Sequence, residues 1–282
     1  MVTTARTGAA NLWRATVRIA DLSFGGLLWS RRTLFLAGLV VLPVVLAAVV
    51  RIASLRAGTP VLLLSTDELQ GTSLFGTMVW VLYVRFIVPI LGVLYGTALV
   101  ADEVEQRTLT YLFVRPVPKA SVLLGKYVAY LACTTLLLLP TVMLVFFLTV
   151  PLEALSVAQA FPALLADQAL LVAGLAAYGA CFAAVGAAVR RPLVAGLVFV
   201  LGWEPTALLI PGYLGRLTLG YYLQGMVPHP MPPDDSGIGL LLQGGVEMLS
   251  PTTSAAVLLV VTVGALWVGS RVVAAREYVL EQ

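Results

Sequence analysis

The chain has 282 residues, of which 60% are hydrophobic and only 11% are charged. Soluble domains carry about 25% charged residues, so this composition excludes an ordinary soluble domain and predicts an all-α integral membrane protein. The net charge of +3 is small. We expect no nucleic-acid partner, and the distribution of the charges is more informative than their sum.

The chain begins with a segment that is predicted to lie in the membrane interface. Over residues 10–30, aromatic and aliphatic side chains such as Trp13 and Phe24 recur at helical spacing, while Arg14 and Arg18 fall elsewhere. An amphipathic helix of this composition is typical of the membrane surface. Residues 10–30 are therefore predicted to form an N-terminal interfacial helix.

Six apolar runs are predicted to cross the membrane, since a span needs about 20 apolar residues. They are residues 33–50, 76–101, 122–150, 163–189, 193–210 and 253–269. The fourth run is rich in Ala and Gly, which favours close contact between helices. The sequence thus predicts a single transmembrane domain over residues 1–282, with six spans.

The basic residues predict how these spans are oriented. Six crossings place both termini on one side, and that side collects far more Lys and Arg than the other. Its basic residues are Arg6, Arg14, Arg18, Arg31, Arg32, Arg107, Arg115, Lys119, Lys126, Arg190, Arg191, Arg271 and Arg276. The other side has only Arg51, Arg56 and Arg216. Because basic loops stay on the cytoplasmic side, both termini and the segment between the second and third spans are predicted to be cytoplasmic.

That segment, residues 102–116, is the most charged part of the chain and is predicted to form a short amphipathic helix. Its acidic residues come first and its basic residues last, which complements the dipole of a helix. Leu109, Leu112 and Phe113 form an apolar stripe at helical spacing, and Pro116 ends the helix. The stripe can dock on a protein partner or lie on lipid headgroups, and the sequence alone leaves both readings open.

Three motifs here are shared with a known family: EVEQRTLTYL over residues 103–112, RPVPK over 115–119 and LLGK over 123–126. They resemble the membrane subunits of ABC type-2 transporters, although Arg107 replaces the usual glycine before Thr108. The resemblance implies that residues 102–116 are a cytoplasmic coupling helix, which docks on a separate ATP-binding subunit. The implied coupling residues are Glu103, Glu105, Arg107, Thr108, Leu109, Leu112, Phe113 and Arg115.

The resemblance also implies an assembly and a location. Family members pair two permease subunits, identical or homologous, with two copies of the ATPase subunit. Trp203-Glu204, Pro211-Gly212 and Leu249-Ser-Pro251 look like a bacterial branch of the family, which includes the permease associated with nitrous-oxide-reductase maturation. We therefore expect a multi-pass protein of the bacterial inner membrane, with membrane lipid around it.

The chain lacks a phosphate-binding loop, which requires G-x-x-x-x-G-K-[ST]. In the best candidate, Gly125-Lys126, the first glycine position is Ala120 and the last position is Tyr127. We therefore expect no enzyme activity and no cofactor on this chain. ATP and Mg would bind to the partner subunit.

Two ionisable residues fall inside predicted spans, where charge is costly and often functional. Glu204 lies roughly 17 Å and Arg85 roughly 24 Å above the cytoplasmic ends of their spans, at 1.5 Å per residue. Both are thus predicted in the outer half, at depths that permit a pair. They are candidates for the transport pathway or its outer gate, although a long Arg side chain can also extend to the interface without a functional role.

The outer segment, residues 213–250, is predicted to have three parts. Residues 213–226 suit a surface helix, and residues 227–237 form a proline-rich loop without regular structure. By resemblance, residues 239–249 would be a re-entrant helix that caps the pathway. His229 has no second His or Cys nearby, so it is not expected to bind metal, and Asp234 and Asp235 are interpreted as a solvated loop.

These observations together predict the permease subunit of an ATP-driven exporter. The many Leu, Val, Ala and Phe residues along the spans favour an amphiphilic or lipid-like substrate. The alternative is a secondary transporter driven by an ion gradient, which would require several carboxylates near the membrane midplane. A membrane-embedded enzyme is disfavoured, because the sequence has no HExxH motif and a single His.

Overall fold

The computed structural model describes residues 2–57, 71–105, 119–152, 157–209, 213–229 and 249–275, and these are helical with short connections. Three groups of helices follow one another along the chain. The first comprises α1 (Val2–Leu28), α2 (Arg31–Ala57), α3 (Gly71–Met78) and α4 (Val88–Glu105), with a π-helical segment, Val79–Ile87, joining α3 to α4. The second comprises α5 (Lys119–Thr149), α6 (Val157–Ala188), α7 (Pro192–Val198) and α8 (Glu204–Leu209), with π-helical Phe199–Trp203 between α7 and α8. The last comprises α9 (Leu219–Gln224) and α10 (Pro251–Ala275).

Five described helices are long and apolar enough to cross a membrane, and each covers one of the predicted spans completely or to within one residue of its end. They are Arg32–Arg56, Thr72–Val100, Ser121–Thr149, Val157–Ala188 and Pro251–Ala275. The predicted span 193–210 corresponds to a shorter apolar helix, Pro192–Ala207. At 1.5 Å per residue its 16 residues extend about 24 Å, which is less than the ~30 Å hydrocarbon core.

Both terminal helices contact the same end of the bundle. A Cβ on Gly125, near the start of α5, would lie 2.8 Å from the Cβ of Ile19 on α1. A Cβ on Gly269, near the end of α10, would lie 3.3 Å from a methyl carbon of Leu123, also near the start of α5. We call this the terminal end of the bundle and the opposite one the distal end.

Small residues let α4 and α6 run side by side in the same direction. A Cβ on Gly92 would lie 2.5 Å from the Cβ of Tyr178, and one on Gly96 would lie 2.9 Å from the Cβ of Phe182. The residue numbers rise together along both helices, so the pair is parallel. The close contact predicted for the Ala- and Gly-rich fourth span is present here.

The helices α7 and α8 and the π-helical segment between them, which we together call the α7–α8 run, lead from the terminal end towards the distal end. Gly196 on α7 packs against Phe182 of α6, and Glu204 at the start of α8 bonds to Tyr178, one turn nearer the distal end. Further along the chain, Leu223 on α9 packs against Gly174, another turn along α6. The run therefore connects the two ends although it is shorter than a full span.

The segment predicted as an interfacial helix, residues 10–30, is helical to Leu28 as part of α1, which packs along the terminal end of α5. Thr16 is buried there, whereas Leu22 and Trp29 remain 80% and 87% exposed. The bend that follows α1 is fixed by Thr33, whose hydroxyl is 2.6 Å from Tyr95 Oη and bonds to the backbone oxygen of Leu27. The N-terminal helix is thus held against both α4 and α5.

Two predicted segments fall partly outside the described residues. α4 continues to Glu105, so the first residues of the predicted coupling helix extend the second span, and residues 106–116 lie outside the described ranges. In the outer segment, the predicted surface helix is a 3-10 turn, Tyr213–Leu217, followed by α9. The predicted re-entrant helix, residues 239–249, also lies outside them except for Leu249.

Candidate functional site

Glu204 is a buried carboxylate within the membrane domain, with only 6% of its surface exposed. Its Oε2 accepts a hydrogen bond from the hydroxyl of Tyr178 on α6. Its Oε1 accepts from the backbone N–H groups of Leu219 (3.0 Å) and Gly220 (3.3 Å). Both oxygens are therefore satisfied, which offsets the cost of burying a carboxylate.

Local sequence explains why two backbone donors are available to Glu204. Thr218 is extended and caps α9, and its hydroxyl accepts from the N–H of Tyr221 at 3.3 Å. The first N–H groups of a helix have no partner within the helix, and those of Leu219 and Gly220 point at Glu204 instead. The carboxylate thus joins α8, α6 and α9 through one side chain.

Arg85 is partly buried and interacts electrostatically with Glu204 and, more weakly, with Tyr178. Its guanidinium carbon lies 5.7 Å from the ring centroid of Trp80, within the range of a cation–π contact. The structure therefore brings together the two ionisable residues that the sequence placed at similar depths. Tyr178, which links them to α6, was not singled out from the sequence.

Both residues of this pair lie at a break in regular α-helix. Arg85 is inside the π-helical segment Val79–Ile87, and Glu204 directly follows the π-helical segment Phe199–Trp203. Such insertions are rare and occur frequently at functional sites, because they re-aim side chains and loosen the helical ladder. We call Arg85, Tyr178 and Glu204 the polar layer.

A second buried carboxylate, Asp167 on α6, was missed by the sequence analysis. Its Oδ2 lies 2.6 Å from Nε2 of His229, and both side chains are almost fully buried. The imidazole packs edge-on against Phe75 at 5.5 Å and fits over Gly76, where a Cβ would lie 2.8 Å from the His229 Cβ. The residue that the sequence assigned to a proline-rich loop is thus inserted into the bundle.

The signal for Asp167 was present in the sequence, since it is the only acidic residue within the predicted span 163–189. Its partner could not be read in the same way, because His229 is 62 positions away. Among the described residues, no group of three or more His, Cys, Asp and Glu could hold a metal ion.

The predicted coupling residues are not assembled by the described structure. Glu103 and Glu105 fall in the last turn of α4. Arg107, Thr108, Leu109, Leu112, Phe113 and Arg115 lie outside the described ranges. The helices that flank them, α4 and α5, both meet the terminal end of the bundle, where Gly186 on α6 packs on the backbone of Thr97 and Gly125 packs on α1.

A comparison with known families decides the class of this protein. The family model described as ABC-2 family transporter protein matches residues 17–271, nearly the whole chain. The chain belongs to the ABC-2 transporter family. No curated protein matches the sequence.

Membership of the ABC-2 family fits the bundle and gives it a role. A member of this family is the transmembrane permease component of an ABC transporter, which is not itself catalytic and associates with an ATP-binding subunit. The five long apolar helices agree with a multi-pass membrane protein. Within such a permease, the polar layer, with its buried Tyr178–Glu204 bond and the neighbouring Arg85, is the strongest candidate for a functional site.

Proposed function

We propose that this chain is the permease subunit of an ATP-driven exporter, assembled from two permease subunits and two ATP-binding subunits in a bacterial cytoplasmic membrane. The observation that carries the proposal is the family match over residues 17–271. The three motifs within residues 103–126 support the same assignment. The Trp203-Glu204 pair further favours the branch that includes the permease associated with nitrous-oxide-reductase maturation.

Six crossings, with both termini in the cytoplasm, fit the packing best. The α1 helix and the end of α10 contact the same end of α5, and an even number of crossings would account for this. The α7–α8 run supplies the sixth, and its 18 residues extend about 27 Å. Basic residues are concentrated at the terminal end, which is expected for the cytoplasmic side. Those in the described spans and turns are Arg18, Arg32, Lys126, Arg190, Arg191 and Arg271.

ATP hydrolysis would be coupled to transport through residues 102–116, which join α4 to α5. Because α4 packs along α6 through Gly92 and Gly96, a displacement of this segment would be passed to the centre of the bundle. The Arg85–Glu204 pair lies along that path, beside both π-helical segments, and is proposed to line the pathway or close its outer gate. The substrate class that best suits the apolar spans is amphiphilic or lipid-like.

The test of this function is recovery of an ATP-binding subunit with the affinity-tagged chain. We expect ATPase activity in the purified complex, and we expect Glu105→Arg with Phe113→Asp to remove the partner. A matched control is Arg216→Glu with Leu217→Asp, which makes similar changes at exposed positions of the distal end. Recovery that is equal in both variants would contradict docking through residues 102–116.

One observation favours the alternative of an ion-driven secondary transporter. The structure adds Asp167 to Glu204 as a second buried carboxylate in the membrane domain, and such groups are typical of proton relays. Vesicles with the complex would separate the two mechanisms. Flux of a fluorescent lipid that requires ATP and is unchanged by a protonophore supports the exporter, whereas flux that a protonophore abolishes without ATP supports the alternative.

A further inference from the structure

We propose that Asp167 and His229 form a latch, which holds residues 213–229 closed on α3 and α6 at the distal end and opens during transport. The inference rests on the proposed function for its role in transport. The closed contact itself is a property of the chain alone. Each part can therefore be tested separately.

The contact is placed where it can control access from the distal end. Asp167 lies on α6 about 31 Å from Ala188 at 1.5 Å per residue, which is close to the thickness of the hydrocarbon core. His229 is the last described residue before residues 230–248, and it reaches between α3 and α6 to make the bond. The bond therefore spans the boundary between the outer segment and the bundle.

The backbone around His229 contributes little to holding the segment in place. The N–H of Val227 still donates to the carbonyl of Gln224 at 3.3 Å, but Pro228 and Pro230 have no N–H to donate. The buried imidazole, with Asp167 on one side and Phe75 on the other, anchors this part of the chain together with Met226 and Val227, which pack against the core. A side-chain anchor of this kind can be released without unfolding a helix.

The hydrogen bonding of the two buried carboxylates explains why this contact, and not the one at Glu204, would open. Glu204 accepts three hydrogen bonds, on both of its oxygens. Asp167 accepts one, and its Oδ1 is buried without a partner among the described residues. An unsatisfied buried acceptor is costly, and water that entered on opening would satisfy both oxygens of Asp167. The closed latch is therefore a marginal state, whereas the carboxylate of Glu204 has hydrogen-bond partners for both oxygens in this conformation.

The closed contact can be tested on the chain alone, because His229 is the single histidine. Diethyl pyrocarbonate modifies accessible imidazoles, and its rate can be followed by mass spectrometry on protein carrying a histidine-free affinity tag. We expect slow modification in the wild type and at least about tenfold faster modification in Asp167→Asn, since weakening a buried hydrogen bond to a carboxylate favours the open form. Gly76→Ala, which would press on the imidazole, should accelerate the reaction as well.

The control is Thr134→Val, which removes the hydrogen-bonding group of a different buried polar residue, on α5. It should leave the modification rate of His229 unchanged. If Asp167→Asn and Gly76→Ala both react at the wild-type rate, the latch is wrong.

Opening during the cycle can be tested by locking the contact in the complex with the ATP-binding subunit. With Cys133 and Cys181 replaced by Ala, Gly76→Cys and His229→Cys place two Cβ atoms 2.8 Å apart. This is shorter than the roughly 3.5–4.5 Å of a disulfide, so the two segments must separate slightly for the bond to form. We expect oxidation to lower ATP hydrolysis at least about tenfold and reduction to restore it. The control pair Gly225→Cys and Ser254→Cys, with Cβ atoms 3.5 Å apart, ties the same segment to α10 and should leave ATP hydrolysis unchanged.

Unchanged ATP hydrolysis in the oxidised Gly76–His229 pair would overturn the latch, and so would an equal loss in both pairs. Absence of ATP hydrolysis in the wild-type complex would contradict the proposed function instead. In that case, modification of His229 in the chain alone still decides whether the contact closes the distal end.

Discussion

The hydroxyl of Tyr178 donates a hydrogen bond to the Glu204 carboxylate, which joins α6 to the start of α8 in the buried interior. The two residues are 26 positions apart and lie on helices that meet only in the folded bundle. This bond is the central contact of the polar layer. The α7–α8 run is too short to be a stable span by length alone. Its stability therefore depends on contacts with neighbouring helices, of which this bond is one.

Tyr178→Phe tests this contact directly. The substitution removes one donor to a buried carboxylate and is expected to lower the free energy of unfolding by about 1.5–3 kcal/mol, the range for hydrogen bonds to charged groups. Thermal unfolding in detergent is the measurement. Tyr213→Phe is the matched control, because Tyr213 is 80% exposed. Equal melting temperatures for the two variants would contradict a stabilising role for the Tyr178–Glu204 bond.

Arg85 and Glu204 should be energetically coupled. In a double-mutant cycle, Arg85→Gln and Glu204→Gln are expected to show an interaction energy within about 0.5–3 kcal/mol, as found for charged residues that share a network. Neutral substitutions are preferable to charge reversal here. An Arg at position 204 would face the N–H groups of Leu219 and Gly220, which repel a cation whatever residue occupies position 85.

The control cycle for this pair combines Glu204→Gln with Arg271→Gln. Arg271 lies near the end of α10 and contacts Trp267 instead. Its effects should add to those at Glu204 within about 0.3–0.5 kcal/mol. Additivity in both cycles would mean that Arg85 and Glu204 have no measurable interaction energy.

Close helix packing at Gly179 predicts a strong effect of a single methyl group. A Cβ at this position would overlap the ring of Tyr130 and lie 2.8 Å from its Oη. That ring is also held by a bond from its hydroxyl to the carbonyl of Leu175 at 2.9 Å. Gly179→Ala is therefore expected to destabilise the fold by about 1–3 kcal/mol through overpacking.

Gly264→Ala on α10 is the control for Gly179→Ala, since nothing lies within 4 Å of the added Cβ. It should be neutral or slightly stabilising, because Ala is favoured over Gly within helices by about 1 kcal/mol. Similar melting temperatures for the two variants would show that α5 and α6 are not packed as closely as their glycine contacts indicate.

The sequence predicted those features that depend on short stretches of chain. Long apolar runs located five spanning helices, and residue counting placed Arg85 and Glu204 at similar depths. Contacts between distant segments were not predictable in this way. The donors to Glu204 come from Tyr178 and from the start of α9, and His229 reaches Asp167 across 62 residues. The sequence also gives no indication of the π-helical segments, because such insertions into an α-helix depend on how the helix packs against its neighbours.

The N-terminal helix α1 should influence coupling to the ATP-binding subunit, because it packs on α5 close to residues 106–118. A Cβ on Gly125 would lie 2.8 Å from both the Ile19 Cβ and the backbone oxygen of Thr16. A backbone atom cannot move aside as a side chain can, so Gly125→Ala is expected to push α1 away from α5. We expect lower ATP hydrolysis in the purified complex and faster proteolysis of α1. Gly25→Ala, which adds the same methyl group to α1 where nothing lies within 4 Å, should change neither. Faster proteolysis with unchanged ATP hydrolysis would show that α1 anchors the bundle but takes no part in coupling.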